Sequence, residues 1–302
     1  MENVVVVGAG AMGCLFAARL ALAGARVTVV DVDRARLACI AEEGIRLHDA
    51  SGDHVVRVAA CTAEETDRAD LVLLFTKAMH SRAAIASVAH LADGKCCALT
   101  LQNGLGNAEA MAEVFPAANV LVGVTDWPAD FAPPNGVSAH GEGHVWLGAF
   151  QPAGEAAALA ATRLLNAANM GAQHDGAILA AIWEKAAFNA ALNALSTILN
   201  LPVGGLDTPD GRTIATAVID ETIAVAAASG IAMDRARLLA KTDFALANHK
   251  AHKPSMLQDR LARRATEIEA INGQIVKAAA AAGLAAPVTA TLAALVRMGE
   301  PD

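Results

Sequence analysis

Apolar and polar positions follow two different rhythms along this chain. In the first half, short, mostly apolar runs are separated by glycine and polar turns. Val4–Val7, Arg26–Val30, Leu71–Phe75, Cys96–Leu101 and Val120–Val124 are such runs, which predict buried parallel strands. Helical composition from Cys14 to Ala23 lies between the first two. Ile45–Val58, with Ser51-Gly52-Asp53 in its middle, predicts a hairpin attached to the same sheet, and Trp127–Gly148 predicts antiparallel strands closing a first domain. From Glu155 onward the pattern is helical almost throughout, with helices expected at Thr213–Ser229, Asp234–Phe244, Asp259–Ala282 and after Pro287. His174-Asp175-Gly176 separates the halves, so the expected domains are residues 1–174 and 175–302.

The first apolar run leads directly into Gly8-Ala9-Gly10-Ala11-Met12-Gly13. Strand, glycine turn, helix, strand is the context in which a G-x-G-x-x-G segment binds a dinucleotide. Gly8 allows the tight turn, Gly10 the approach of pyrophosphate, and Gly13 close packing of helix on strand. Asp31 ends the second strand, where a carboxylate accepts hydrogen bonds from ribose hydroxyls and repels a 2′-phosphate. It therefore favours NADH over NADPH, although Arg34 and Arg36 follow closely; a competing role for Asp31 is capping of the helix beginning near Asp33. Thr76-Lys77 and Gln102-Asn103-Gly104 end two further strands, on the side where open α/β sheets bind ligands.

In the second half, Trp183–Asn193 stands out. Lys185, Asn189 and Asn193 recur every four residues in an Ala-rich helix, so one face stacks an ammonium and two carboxamides. Such a lysine can donate a proton, and the carboxamides can hold a small polar ligand. Further on, Lys253-Pro254-Ser255 opens another helix. Ser255 can cap it or bind a carboxylate, and Glu267 is expected several turns along that same helix.

Composition narrows the function classes. The net charge of −8 argues against nucleic acid and anionic membranes. Five scattered cysteines without metal-ligand spacing suit a reducing cytoplasm and no metal centre. The Ala278–Val296 region is too broken for a membrane span.

Taken together, Gly8–Gly13, Thr76-Lys77, Gln102-Asn103-Gly104, Lys185 with Asn189 and Asn193, Lys253–Asp259, and Glu267 with Ile271-Asn272-Gly273 resemble the ketopantoate reductase (2-dehydropantoate 2-reductase) family over nearly the whole chain. The resemblance implies an α/β N-terminal Rossmann domain plus an all-α C-terminal domain of the 6-phosphogluconate-dehydrogenase-like helical type. It also implies reduction of ketopantoate by NAD(P)H with Lys185 as proton donor. Asn189 and Asn193 would hold the substrate's polar end and Ser255 its carboxylate. Glu267 would support Lys185 and the cofactor, and Asn103 would touch both cofactor and substrate. Lys77 and Ala129 would lie along the cofactor. One position departs: members commonly carry a basic residue where Asp31 stands, and use NADPH. Relatives in the superfamily that use NAD act on other 2-keto acids, such as those of D-mandelate dehydrogenases, and a dehydrogenase of that kind is the alternative. A small 2-keto acid is the expected partner, with homodimerisation left open.

Overall fold

The structure, a computed structural model, describes residues 1–301. The chain divides into two compact units, residues 1–102 with 107–178, and residues 103–106 with 179–302. The expected division after residue 174 differs from this in two places. Residues 175–178 stay with the first unit, where Asp175 N donates to Leu147 O. Asn103–Gly106 goes with the second, where Leu105 N donates to Ala270 O.

The first unit runs β1 (Asn3–Val7), α1 (Ala11–Leu22), β2 (Arg26–Val30), α2 (Arg34–Glu43), β3 (Ile45–Asp49), β4 (Gly52–Val56), β5 (Ala59–Cys61), β6 (Leu71–Leu74), α3 (Ser81–Ser87) and β7 (Cys97–Thr100). It continues through α4 (Asn107–Ala112), β8 (Val120–Thr125), β9 (Asp130–Ala132), β10 (Gly136–Ser138), β11 (Val145–Ala149), α5 (Glu155–Ala167) and β12 (Ala172–His174). Eight strands form one sheet in the order β12-β11-β8-β7-β6-β1-β2-β5. All neighbours are parallel except β11 with β8. β1 lies between β2 and β6, with Val6 paired to Val29 on one side and Leu73 on the other. A strand covered on both faces can be apolar at every position, and Val4–Val7 are all buried.

The sequence leads one to expect the hairpin β3–β4 on this sheet, but it is not attached there. With β10 and β9 it forms a second sheet of order β4-β3-β10-β9, and Gly136 pairs in parallel with Arg46. Ile45, Leu47 and Val137 bury against Phe16 and Leu20 of α1 in the same core. Once α1 covers the main sheet, its outer face still carries large apolar side chains, and this small sheet removes them from water. The region after Glu155 likewise is not all helix: β12 returns to the main sheet beside β11.

The second unit comprises α6 (Ile178–Leu199), α7 (Pro209–Ala228), α8 (Arg235–Asn248), α9 (Ser255–Leu261), α10 (Gln274–Ala281) and α11 (Pro287–Met298). Its core takes Ala187, Ala190, Ala191 and Ala194 from α6, Val218 and Ile219 from α7, Leu238 from α8, and Val296 from α11. Each fully buried branched aliphatic side chain there contributes about 1.5–3 kcal/mol. The single helix expected over Asp259–Ala282 is absent. α9 stops at Leu261, Arg263 adopts a left-handed φ of 54°, and Arg264 N returns to Asp259 O at 2.8 Å. The buried Asp259 carboxylate also accepts from Arg264 Nε at 2.9 Å. These local bonds end the helix despite a composition that favours continuing it.

Candidate active site

The nucleotide half is built at the carboxyl ends of β1 and β6, the point where strand order reverses. Gly8 takes φ +104°, and a Cβ there would lie 2.9 Å from Phe75 C and Thr76 N at the end of β6. Only glycine turns at that closeness. At Gly13 a Cβ would overlap the Gly8 carbonyl oxygen, so the first turn of α1 can press onto the loop only without a side chain. Gly10 differs from both, because a Cβ there would meet nothing within 4 Å. Protein packing gives no reason for glycine at this position. A pyrophosphate approaching the backbone does, and the N-cap Gly10 supplies no side chain to occupy the amides of the first turn. The residues present therefore fit a dinucleotide.

Asp31 joins the end of β2 to this loop. Its Oδ2 accepts from Ala9 N at 2.6 Å and its Oδ1 from Asp33 N at 2.9 Å. Capping of α2 falls instead to Asp33, whose carboxylate accepts from Arg36 N at 3.0 Å. The Arg36 guanidinium lies 3.7 Å from Asp31 and 3.4 Å from Asp33, over the Phe131 ring. Both arginine and carboxylates are thus committed to each other before any ligand arrives. Lys77 lies at the strand end after β6, half-buried, with its carbonyl accepting from His80 N. Gln102 ties neighbouring strand ends together by donating to the Thr76 carbonyl and, at 2.8 Å, to Ser81 Oγ. Ala129 is half-buried between β8 and β9, packed against the main core.

The second half is built on α6. Lys185 and Asn189 are half-buried, and Asn193 is 5% exposed. The adjoining faces are alanine: Ala186, Ala187, Ala190, Ala191 and Ala194 are all at most 1% exposed. The sequence suggested a continuing helix at Glu267, but the helix has ended before it. Glu267 lies between α9 and α10, where Thr266 N and Oγ1 both donate to the Glu300 carboxylate. Residues 268–273 then make one wide turn, closed by Gly273 N donating to Ile268 O, an i→i+5 bond at 2.9 Å. The turn leaves Ala270 O to accept from Leu105 N, and a Cβ at Gly104, which has φ +87°, would overlap that oxygen. Asn103 is thereby brought to Glu267, with Nδ2 3.4 Å from Oε2. Residues 164 apart in sequence meet through a glycine that no other residue can replace. Ser255 occupies the first position of α9 and is exposed. Pro254 is the N-cap, and no side-chain hydrogen bond caps the helix, so the expected capping role is absent.

Asn272 entered the sequence pattern only as part of Ile271-Asn272-Gly273, with no role of its own. It is fully buried, and its Nδ2 donates to Ala190 O of α6 at 3.1 Å. The break before Glu267 did have a signal, Thr266-x-x-Glu269, the pattern of a helix start. Among the described residues no group of His, Cys, Asp and Glu is placed to hold a metal ion, and no helix is long and apolar enough to cross a membrane.

Comparison with known proteins bears on both halves. Residues 4–152 match the family model described as ketopantoate reductase PanE/ApbA, and residues 177–300 match the model of its C-terminal part. The chain is 31% identical to a 2-dehydropantoate 2-reductase of Halobacterium salinarum, covering 99% of each. It is 33% identical to that of Archaeoglobus fulgidus, covering 98% of this chain and 97% of the relative. Among solved structures, a ternary complex of D-mandelate dehydrogenase with NADH and anilino(oxo)acetate superposes with TM-score 0.93 at 29% identity, covering 99% and 98% of the two chains. A 2-dehydropantoate 2-reductase from Geobacter metallireducens gives 0.90 at 29%, covering 98% and 99%. The chain belongs to the ketopantoate reductase family and is an NAD(P)-dependent oxidoreductase.

Proposed function

We propose that the enzyme reduces 2-dehydropantoate to pantoate, with NADH as the preferred reductant and Lys185 as proton donor. The observation that carries this reading is the single polar face of α6, on which Lys185, Asn189 and Asn193 follow one another among buried alanines. When bound, the nicotinamide supplies a hydride to C2 of the keto acid. Lys185 gives its proton to the oxygen of the developing alkoxide, assistance typically worth ~10²–10⁴ in rate. Its positive charge stabilises that oxygen before the proton has fully moved. Asn189 and Asn193 hydrogen-bond the hydroxyl end of the substrate, and Ser255 its carboxylate. Glu267 holds the ammonium in place, with Asn103 beside it contacting cofactor and substrate.

Gly8–Gly13, Lys77 and Ala129 line the dinucleotide. Asp31 is the ground for NADH, because a second negative charge at the adenosine ribose would face a carboxylate. Domain roles follow, with the unit of residues 1–102 and 107–178 serving the nucleotide and that of residues 103–106 and 179–302 the substrate.

A second reading has its own support. The same Asp31, together with likeness to an NADH-bound D-mandelate dehydrogenase, favours a dehydrogenase for another 2-keto acid on this scaffold. Steady-state rates for ketopantoate, phenylglyoxylate and branched 2-keto acids, each with NADH and NADPH, separate the two. The proposal expects the highest kcat/KM for ketopantoate with NADH. A higher value for phenylglyoxylate transfers the assignment to the second reading.

A further inference from the structure

The wide turn at residues 268–273 gathers three ties. Glu300 grips Thr266 just before it, Leu105 N binds the Ala270 carbonyl that the turn leaves open, and Asn272 reaches across to α6. The last of these has an energetic peculiarity. Asn272 is fully buried, and its Oδ1 has no hydrogen-bond partner among the described residues. Stranding a buried acceptor is unfavourable, and a leucine, with the same branching and number of side-chain heavy atoms, would strand none. An amide flip does not relieve it, since Oδ1 would then face the Ala190 carbonyl oxygen. The bond to Ala190 O is thus made by a buried side chain whose other polar atom has no partner among the described residues.

The packing around the bond shows what it can do. Around Ala190 the buried positions of α6 are Ala186, Ala187, Ala191 and Ala194, while Trp183, Leu192 and Leu195 are buried elsewhere on the helix. The methyl groups next to Ala190 make a smooth patch that interlocks less than the leucines farther along the helix. A directional hydrogen bond from a buried side chain to one carbonyl fixes both. Ala190 is the residue after Asn189 and lies between Lys185 and Asn193, so the bond sets the azimuth of the whole polar face. Asn272 itself sits five residues after Glu267, in the turn that Glu267 opens by accepting from Ala270 N and Ile271 N.

We propose that Asn272 is a positioning residue for the reduction, locking the helix of Lys185, Asn189 and Asn193 in register with the turn that presents Glu267. The proposal rests on the assignment of Lys185 as proton donor. If the unaltered enzyme reduces no 2-keto acid with either nicotinamide, that assignment fails, and the role of Asn272 falls with it for a reason visible before any variant is made.

The test is a double-mutant cycle in an active enzyme. Asn272→Leu removes the tie and the orphan oxygen together, and its melting temperature reports the cost of its larger methyl groups. Asn272→Ala serves as the second variant. Both are expected to lower kcat about tenfold or more, with the NADH dissociation constant from nucleotide fluorescence unchanged within about twofold. Glu267→Gln alone also lowers kcat. Adding Asn272→Leu to it should cost less than about threefold more, because register with a disabled carboxylate no longer matters. Three results overturn the proposal. One is kcat within about twofold of the unaltered enzyme in both variants; another is an equal loss from Asn272→Leu with and without Glu267→Gln. The third is failure of both variants to melt cooperatively, which makes the bond one of folding rather than positioning.

Discussion

Removing the charge of Asp31 should shift the nucleotide preference, and the structure decides which substitution can show it. Asp31→Ala would strand Ala9 N, an amide in a residue with no exposed surface, at a cost of about 1–3 kcal/mol. That loss would distort the glycine loop and weaken both nucleotides. Asp31→Asn keeps an acceptor for Ala9 N while removing the charge, and gives up only the exposed bond from Asp33 N. A 2′-phosphate at about 4 Å from the carboxylate is repelled by roughly 1 kcal/mol per unit charge in water and about 4 at an effective dielectric of 20. Arg36, at 3.7 Å, offsets part of this. An intermediate 1.5–3 kcal/mol, roughly tenfold to a hundredfold, is therefore the expected discrimination against NADPH. The assay is kcat/KM for NADH and NADPH at saturating keto acid, with and without the substitution. Asp31→Asn should close most of the gap by raising the NADPH value, since Arg36 then answers to Asp33 alone. Added salt should narrow the gap in the unaltered enzyme more than in the variant. A preference for NADPH in the unaltered enzyme, or a ratio unmoved within about twofold by the substitution, would refute the reasoning.

The other predictions concern substrate and stability. Replacing ketopantoate by 2-ketoisovalerate, which lacks the hydroxyl, should lower kcat/KM by roughly tenfold to a hundredfold, since buried Asn193 is left unpaired. Asn193→Ala should shrink that ratio, and an unchanged ratio would show that Asn193 does not read the hydroxyl. The Asp70 carboxyl is held below its ordinary 3.8 by amides of Asn3 and Glu2, with Glu2 N at 2.7 Å. A lowered native value means this stabilisation is complete above pH 3.8 and lost as pH falls through the native value. Asp70→Asn should thus lower the melting temperature by a constant amount at neutral pH, with the deficit shrinking below about pH 4; a deficit that grows on acidification would contradict the assignment.

The nucleotide half was legible because its signals are local. Val4–Val7 is buried on both faces as its composition requires, and Gly8 and Gly13 are fixed by backbone closeness that only glycine tolerates. The spacing of Lys185, Asn189 and Asn193 likewise needed only the helical period. The second sheet was not legible. Its strands β9 and β10 have three residues each, and β10 pairs with β3 from some ninety positions earlier, so the register is set by the apolar outer face of α1. The segment before Glu267 misled for another reason. Leu261–Ile268 contains no glycine or proline, yet Asp259 and Arg264 bond each other and turn the chain. Asn272 was unreadable as well, because a buried asparagine that grips a distant carbonyl looks like any other polar residue beside a glycine.

The central claim, that Lys185 supplies the proton to a reduced 2-keto acid, is tested most directly by kcat of Lys185→Ala with ketopantoate and NADH. A fall of ~10²–10⁴ is expected, with the NADH dissociation constant unchanged. Turnover close to that of the unaltered enzyme would contradict it.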